Sequence, residues 1–171
     1  MDDTWQKRWA VNLVKVLPGF VTRLIIYIVK KKYVVGVVAV VFNEEGKWLL
    51  LHHTYRKKGA WRLPGGLKER GESPYETAVR ELREEAAIRV KPLAILAVTE
   101  AYATLDIAVL CEFDAQDPFV ANAEVDDFRF LPLAALPADL PKEQLNFLSE
   151  AQTWLQARRC AEGQAERLLD T

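Results

Sequence analysis

Apolar and polar residues alternate along this chain with two different periods, and each change of period falls at proline, glycine or a polar cluster. In residues 4–17, Trp5, Trp9, Leu13, Val14 and Leu17 recur at helical spacing. This predicts a short amphipathic helix stopped by Pro18-Gly19. The apolar stretch from Val11 to Val29 is interrupted by Lys15, Pro18, Gly19 and Arg23. Its longest unbroken run, Leu24–Val29, is too short to span a bilayer. It shows neither the charged start nor the small-residue cleavage site of a signal peptide. Lys30-Lys31-Lys32 follows directly. Residues 1–32 are expected to form an N-terminal extension, a helix or strand packing on the core with a solvated lysine run behind it. Membrane-surface docking through the same segment is the weaker alternative.

Tyr33–Phe42 is dense in β-branched residues and predicts a buried strand. Asn43-Glu44-Glu45-Gly46 reads as a turn and Lys47–His53 as the returning strand of a hairpin. Tyr55–Trp61 reads as a basic loop, and Arg62-Leu63-Pro64 as a short extended piece. Ser73, Pro74 and Glu76 form a capping box with proline at the first helical position, so a helix runs from there to about Ala86. Its stripe of Tyr75, Ala78, Val79, Leu82 and Ala86 should face the core. Leu93–Thr99 and Leu105–Phe113 are strand-like, Asp114–Val125 is a polar loop, and Phe128–Phe130 is a short strand. Pro132–Leu140 is an irregular connection. Lys142 to about Arg159 is helical, with Leu145, Leu148, Trp154 and Leu155 among its apolar positions. Residues 33–160 thus read as one α/β domain with helices on both faces of a sheet, and residues 161–171 as a frayed tail.

Composition adds boundaries. The 171 residues are half hydrophobic and about a quarter charged, with a net charge of −1. That is ordinary for a globular domain and leaves no large basic footprint for nucleic acid. Cys111 and Cys160 have no metal-type spacing; Cys111 lies in an apolar run and reads as core. A reduced, cytoplasmic protein is the simplest expectation.

The chemistry concentrates in one segment. Glu81, Glu84 and Glu85 fall within one helical turn and on one face. Carboxylates so close repel one another, and a hard divalent cation such as Mg²⁺ relieves that repulsion through oxygen ligands. Leu63-Pro64-Gly65-Gly66 leads into this segment and lets the backbone approach a ligand or metal closely. An acidic helix alone is more often a solvated face, with Glu76/Arg80, Arg80/Glu84 and Glu85/Arg89 as i,i+4 ion pairs. The glycines, Glu72 and the capping box shift the balance to metal.

Gly66, Glu72, Arg80, Glu81, Leu82, Glu84, Glu85 and Ile88 match, at every offset, the motif of the Nudix hydrolase superfamily. The segment Gly66–Ile88 closely resembles it, with Ala87 standing where the family usually has glycine. The strand order and the lead-in resemble the family over roughly residues 34–158. The resemblance implies an α/β/α sandwich around a mixed sheet. It also implies hydrolysis of a diphosphate linked to a nucleoside or related group, using Mg²⁺ or Mn²⁺. It implies that Glu81, Glu84 and Glu85 hold metal with help from the Gly65 carbonyl, and that Glu72 and Arg80 brace loop against helix. Family members draw their proton acceptor from the motif or from a later loop, where Glu124 falls. Glu124 is therefore a candidate metal ligand or base, and an exposed loop acid is the equal alternative. Alanine at position 87 either costs roughly 1 kcal/mol in a left-handed cap or lets the helix run on one residue. Neither removes a carboxylate.

Within the motif, Gly66 is a candidate substrate-binding residue; outside it, Arg56 in the basic loop either contacts substrate phosphates or belongs to a solvated loop, and Tyr102 either lines the substrate site or serves the core or surface. His52 and His53 are adjacent and point to opposite sides of a strand, so they cannot readily share a metal. Trp61 is expected under the Gly65-Gly66 loop. The resemblance implies a small nucleotide-type substrate, leaves its identity open, and admits a homodimer. A regulator that binds nucleotide without turnover is the rival reading.

Overall fold

In the computed structural model, which describes residues 18–54, 60–101 and 103–169, the axis of the sheet is strand β1 (Val34–Phe42). Its near-continuous β-branched run is buried from Val37 onward apart from Val38 and Phe42, as a strand covered on both faces requires. β1 runs parallel to β6 (Thr104–Gln116) and antiparallel to β4 (Gly65–Leu67). β2 (Trp48–His53) meets it only at the Phe42–Trp48 pair. β2 is flanked by β3 (Ala60–Arg62) and β7 (Val125–Leu131), while β5 (Ile88–Ala101) pairs with β6. The result is a mixed seven-stranded sheet of order β3-β2-β1-β6-β5, with β4 on β1 and β7 on β2.

Helices cover both faces. Odd-numbered β1 residues Val37, Ala39 and Val41 pack with Ala78, Leu82 and Ala86 of helix α2 (Pro74–Ala86). On the other face, Val40, Leu50 and Leu110 pack with Phe147, Leu148 and Ala151 of helix α3 (Lys142–Leu169). Each fully buried large side chain contributes roughly 1.5–3 kcal/mol. This is the α/β/α arrangement the sequence predicts.

The chain divides into two compact units, Met1–Tyr33 and Val34–Thr171. In the first, helix α1 (Gly19–Val29) starts at Pro18, which stands at its N-cap, and none of its residues is buried. The helix predicted over residues 4–17 lies outside the described residues, as do Arg56 and Tyr102.

Several boundaries differ from expectation. β5 and β6 are longer than the apolar runs that announce them, because each ladder rung carries the pairing into flanking polar residues. β7 covers Val125–Leu131 rather than three residues. A short 3₁₀ turn, Leu133–Ala135, lies in the proline-rich connection. α3 continues to Leu169 instead of ending near Arg159. Tyr75 and Leu145 are exposed, and Phe147 and Ala151 carry the α3 contact instead. Cys111 is buried as predicted, and Cys160 is exposed.

Helix α2 begins with the full capping box. Ser73 Oγ accepts the Glu76 N–H at 3.2 Å, and Glu76 accepts the Ser73 N–H at 2.7 Å. It ends at Ala87, whose φ of 54° and ψ of 31° are left-handed. The helix therefore does not run on; alanine occupies the strained cap, and its N–H donates to the Arg83 carbonyl at 3.1 Å. An L-residue there costs about 1–2 kcal/mol. Ala87→Gly is expected to raise stability by roughly 1 kcal/mol and Tm by about 2–4 °C. A calorimetric melt showing no rise, or a fall, contradicts the strained cap.

Candidate active site

The two glycines of β4 do different jobs. A Cβ on Gly65, whose φ is 155°, would overlap the Val37 carbonyl oxygen of β1. The obstacle is backbone, so glycine here lets β4 seat on the sheet at all. A Cβ on Gly66 would overlap the Glu81 carboxylate. That obstacle is the end of a flexible side chain, so glycine here leaves room for an acid. The Leu63-Pro64-Gly65-Gly66 lead-in is thus not a free loop, because its glycines form a sheet strand facing helix α2.

Along α2 the three acids meet different surroundings. Glu85 is only 7% exposed, and its Oε2 accepts the Gly65 N–H at 3.3 Å. Burial pushes its pKa up to about 7; the Gly65 bond opposes this, and the charges of Glu81, Glu124 and Glu84 add to it. Glu81 is half-buried and is also pushed up, first by burial, with Arg80 opposing. Glu84 is exposed. Glu124 is exposed on the loop before β7, yet its charge is felt at both Glu81 and Glu85.

Arg80 holds this segment together. Its Nε donates to Glu72 Oε1 at 2.7 Å and its Nη2 to Glu72 Oε2 at 3.2 Å. Nη2 also donates to the Leu67 carbonyl at 3.0 Å, and Nη1 donates to Glu81 at 2.9 Å and Glu84 at 3.1 Å. Glu72 further accepts from the Glu69 N–H and the Thr77 hydroxyl. The Arg80 guanidinium, followed by these smaller contributions, holds the Glu72 carboxyl down at about 2 against its burial. Of the surface pairs considered from sequence, only Arg80–Glu84 forms. Glu76 is occupied in the cap, and Arg89 pairs with Asp117 at 3.7 Å.

Among the described residues, no three acidic, histidine or cysteine groups stand together closely enough to enclose a metal ion as posed. One nitrogen of the Arg80 guanidinium draws on both Glu81 and Glu84. The donor set nevertheless fits a hard divalent cation. Glu81, Glu84 and Glu85 offer carboxylate oxygens on one helix turn; burial, first, and the neighbouring carboxylates, second, raise the pKa of Glu85, and Glu84 is exposed.

Two features are less visible in the sequence. Asn122 ties the Glu124 loop to the acid helix. Its Oδ1 accepts the N–H groups of Glu124 and Val125 at 2.9 and 2.7 Å, and its Nδ2 donates to the Glu85 carbonyl at 3.2 Å. A cavity of about 260 Å³ borders β4. Gly36, His53, Arg62, Gly66, Asp106 and Gln144 help line it. Asp106 faces Gly36, and burial raises its pKa. A charge breaking the apolar run Leu105–Phe113 was the available signal. His53 is buried, while His52 bonds Asp126 at 2.5 Å. Trp61 packs at a tilt against His52, ring centroids 5.1 Å apart, with Arg129 over its ring at 4.7 Å.

The Glu85 shift has a thermodynamic consequence. The folded state binds this proton more tightly than the unfolded chain does, so its contribution to stability is complete below about pH 4.5 and lost as pH rises through about 7. In chelator, melting temperature is expected to include a decline over this window that Glu85→Gln removes. An undiminished decline in the variant contradicts the burial of this acid.

The NUDIX domain family model matches residues 32–151. The chain is 30% identical over 110 residues to "Nucleoside diphosphate-linked moiety X motif 6" of Xenopus laevis, covering 60% of this chain and 46% of that protein. It is 42% identical over 69 residues to "8-oxo-dGDP phosphatase NUDT18" of Danio rerio, covering 40% of this chain and 21% of that one. The chain thus spans less than half the length of these curated relatives. Among solved structures, a UDP-X diphosphatase superposes with a TM-score of 0.61 at 24% identity, covering 80% of this chain and 72% of that one. That likeness concerns the fold. With the family model matched over most of its length and the motif acids set against β4, the chain belongs to the NUDIX domain family.

Proposed function

We propose that the chain is a Mg²⁺-dependent pyrophosphohydrolase, with Mn²⁺ as a substitute, that cleaves the diphosphate linkage of a nucleoside diphosphate-linked substrate. The observation that carries this reading is the contact between β4 and α2. Buried Glu85 takes the Gly65 N–H, and Glu81 fills the space left by the missing Gly66 Cβ. Relatives named for nucleoside diphosphate-linked and 8-oxo-dGDP substrates support the same class.

In this reading Glu81, Glu84 and Glu85 would hold the metal with the Gly65 carbonyl, and the Arg80–Glu72 pair keeps helix and loop in register. Bound Mg²⁺ would neutralise the diphosphate and lower the pKa of an attached water. Glu124 accepts a proton from the attacking water. Asn122 is a positioning residue that fixes the Glu124 loop against the helix. The cavity beside Gly66 receives the nucleoside part, with Asp106 and Gln144 as polar contacts. Arg56 and Tyr102 are further candidates for contacting phosphate and nucleoside. The non-catalytic alternative gains nothing from Ala87, since the altered cap leaves every carboxylate on the helix.

A panel of diphosphate-linked nucleosides, assayed by phosphate detection with Mg²⁺ or chelator, tests the proposal. Turnover is expected only with metal; tight binding without turnover across the panel would favour the regulator. Glu84→Gln and Glu85→Gln should each lower kcat by roughly a thousandfold, the equivalent of several kcal/mol of lost charge stabilisation. Full activity in either variant contradicts the ligand assignment.

Glu124→Gln should lower kcat by about 10²- to 10⁴-fold, as loss of a general base does. Asn122→Ala should lower kcat by about tenfold with KM little changed, because misplacement of a reacting group acts on the chemical step. If Glu124→Gln retains wild-type kcat, Glu124 is not the base.

A further inference from the structure

Helix α1 presents an unusual surface. It is eleven residues long, and only Thr22 and Arg23 are polar. Phe20, Tyr27 and Ile28 are 74%, 64% and 68% exposed, and Leu24, Ile25 and Ile26 are also exposed. An apolar patch of this kind marks an interaction surface. At 100° per residue, Phe20, Leu24, Ile28, Val21 and Ile25 share one side, and Arg23 and Lys30 lie on the other between Ile26 and Tyr27. The lysine end is also the aromatic end, with Lys32 Nζ 4.0 Å from the Tyr27 ring centroid.

Charge identifies the partner. Between Asp3 and Glu44 the chain carries Lys7, Arg8, Lys15, Arg23, Lys30, Lys31 and Lys32 and no acidic residue. The whole chain is net −1, so the acidic excess lies beyond this segment. A second copy would bring the same positive charges together. An anionic bilayer surface complements both features, taking apolar side chains below its headgroups and lysines among them. Eleven residues make a helix of about 16 Å, roughly half the hydrocarbon thickness, which suits lying in the interface rather than crossing it. Among the described residues no helix is long and apolar enough to cross.

We propose that α1, with Arg23 and Lys30–Lys32, is an interfacial anchor that docks the protein on an anionic phospholipid surface. This does not depend on the catalytic reading. Co-sedimentation of the full chain with vesicles of pure phosphatidylcholine, or with phosphatidylserine added, tests it. Binding is expected to require phosphatidylserine. Replacing Lys30, Lys31 and Lys32 by Gln should weaken it about fivefold per lysine, roughly a hundredfold in all, and raised salt should weaken it likewise. Leu24→Asp with Ile28→Asp should abolish it while leaving turnover in solution unchanged. Absence of binding to phosphatidylserine vesicles overturns the proposal, as does equal binding to both vesicle types. A dimer in sedimentation equilibrium that Leu24→Asp with Ile28→Asp dissociates, without vesicle binding, assigns the face to a second copy and also overturns it.

Discussion

The site depends on how closely strand β4 approaches the acid face of helix α2. Two consecutive positions without side chains make that approach. One lets the strand sit on β1, and the other leaves the volume occupied by a carboxylate. The first is a requirement of backbone packing and the second of chemistry. Their adjacency ties the placement of the acids to the centre of the sheet, since β1 is packed on both faces.

Collecting acids at such a contact is unfavourable unless their charge is balanced. Arg80 provides part of that balance, with one guanidinium serving Glu72, Glu81, Glu84 and the Leu67 carbonyl. Its planar donors suit this better than a lysine could. Burial disfavours the charged form of Glu85 and pushes its pKa up to about 7. A divalent cation would favour that charged form. In this sense the helix is anchored by its apolar stripe and left electrostatically unfinished on the adjacent one.

Much of this was legible in residue order because it is local. The capping box, the apolar stripe and the three acids all lie within a few turns, where spacing determines direction. The strained Ala87 was legible as one of two outcomes. What sequence did not reveal is what distant segments do to one another. Glycines that look like a mobile loop become a strand once Val37 lies beside them. Asn122 looks like an ordinary loop residue until β7 carries its loop to the end of α2. Asp106 breaks an apolar run in the sequence, but its place opposite Gly36 follows only from the pairing of β1 with β6. Phe147 replaced Leu145 as a core contact because helix rotation is fixed by the sheet beneath it, which the helical period alone does not specify.

In the proposed site, Gly66 is glycine so that Glu81 can join its neighbours around a cation. Isothermal titration of Mn²⁺ into the wild-type protein and Gly66→Ala, with substrate absent, isolates this role. The wild type should bind Mn²⁺, and the alanine variant, folded and melting near the wild-type temperature, should bind at least tenfold more weakly, since its Cβ displaces the Glu81 carboxylate. Equal affinity in the two proteins would contradict it.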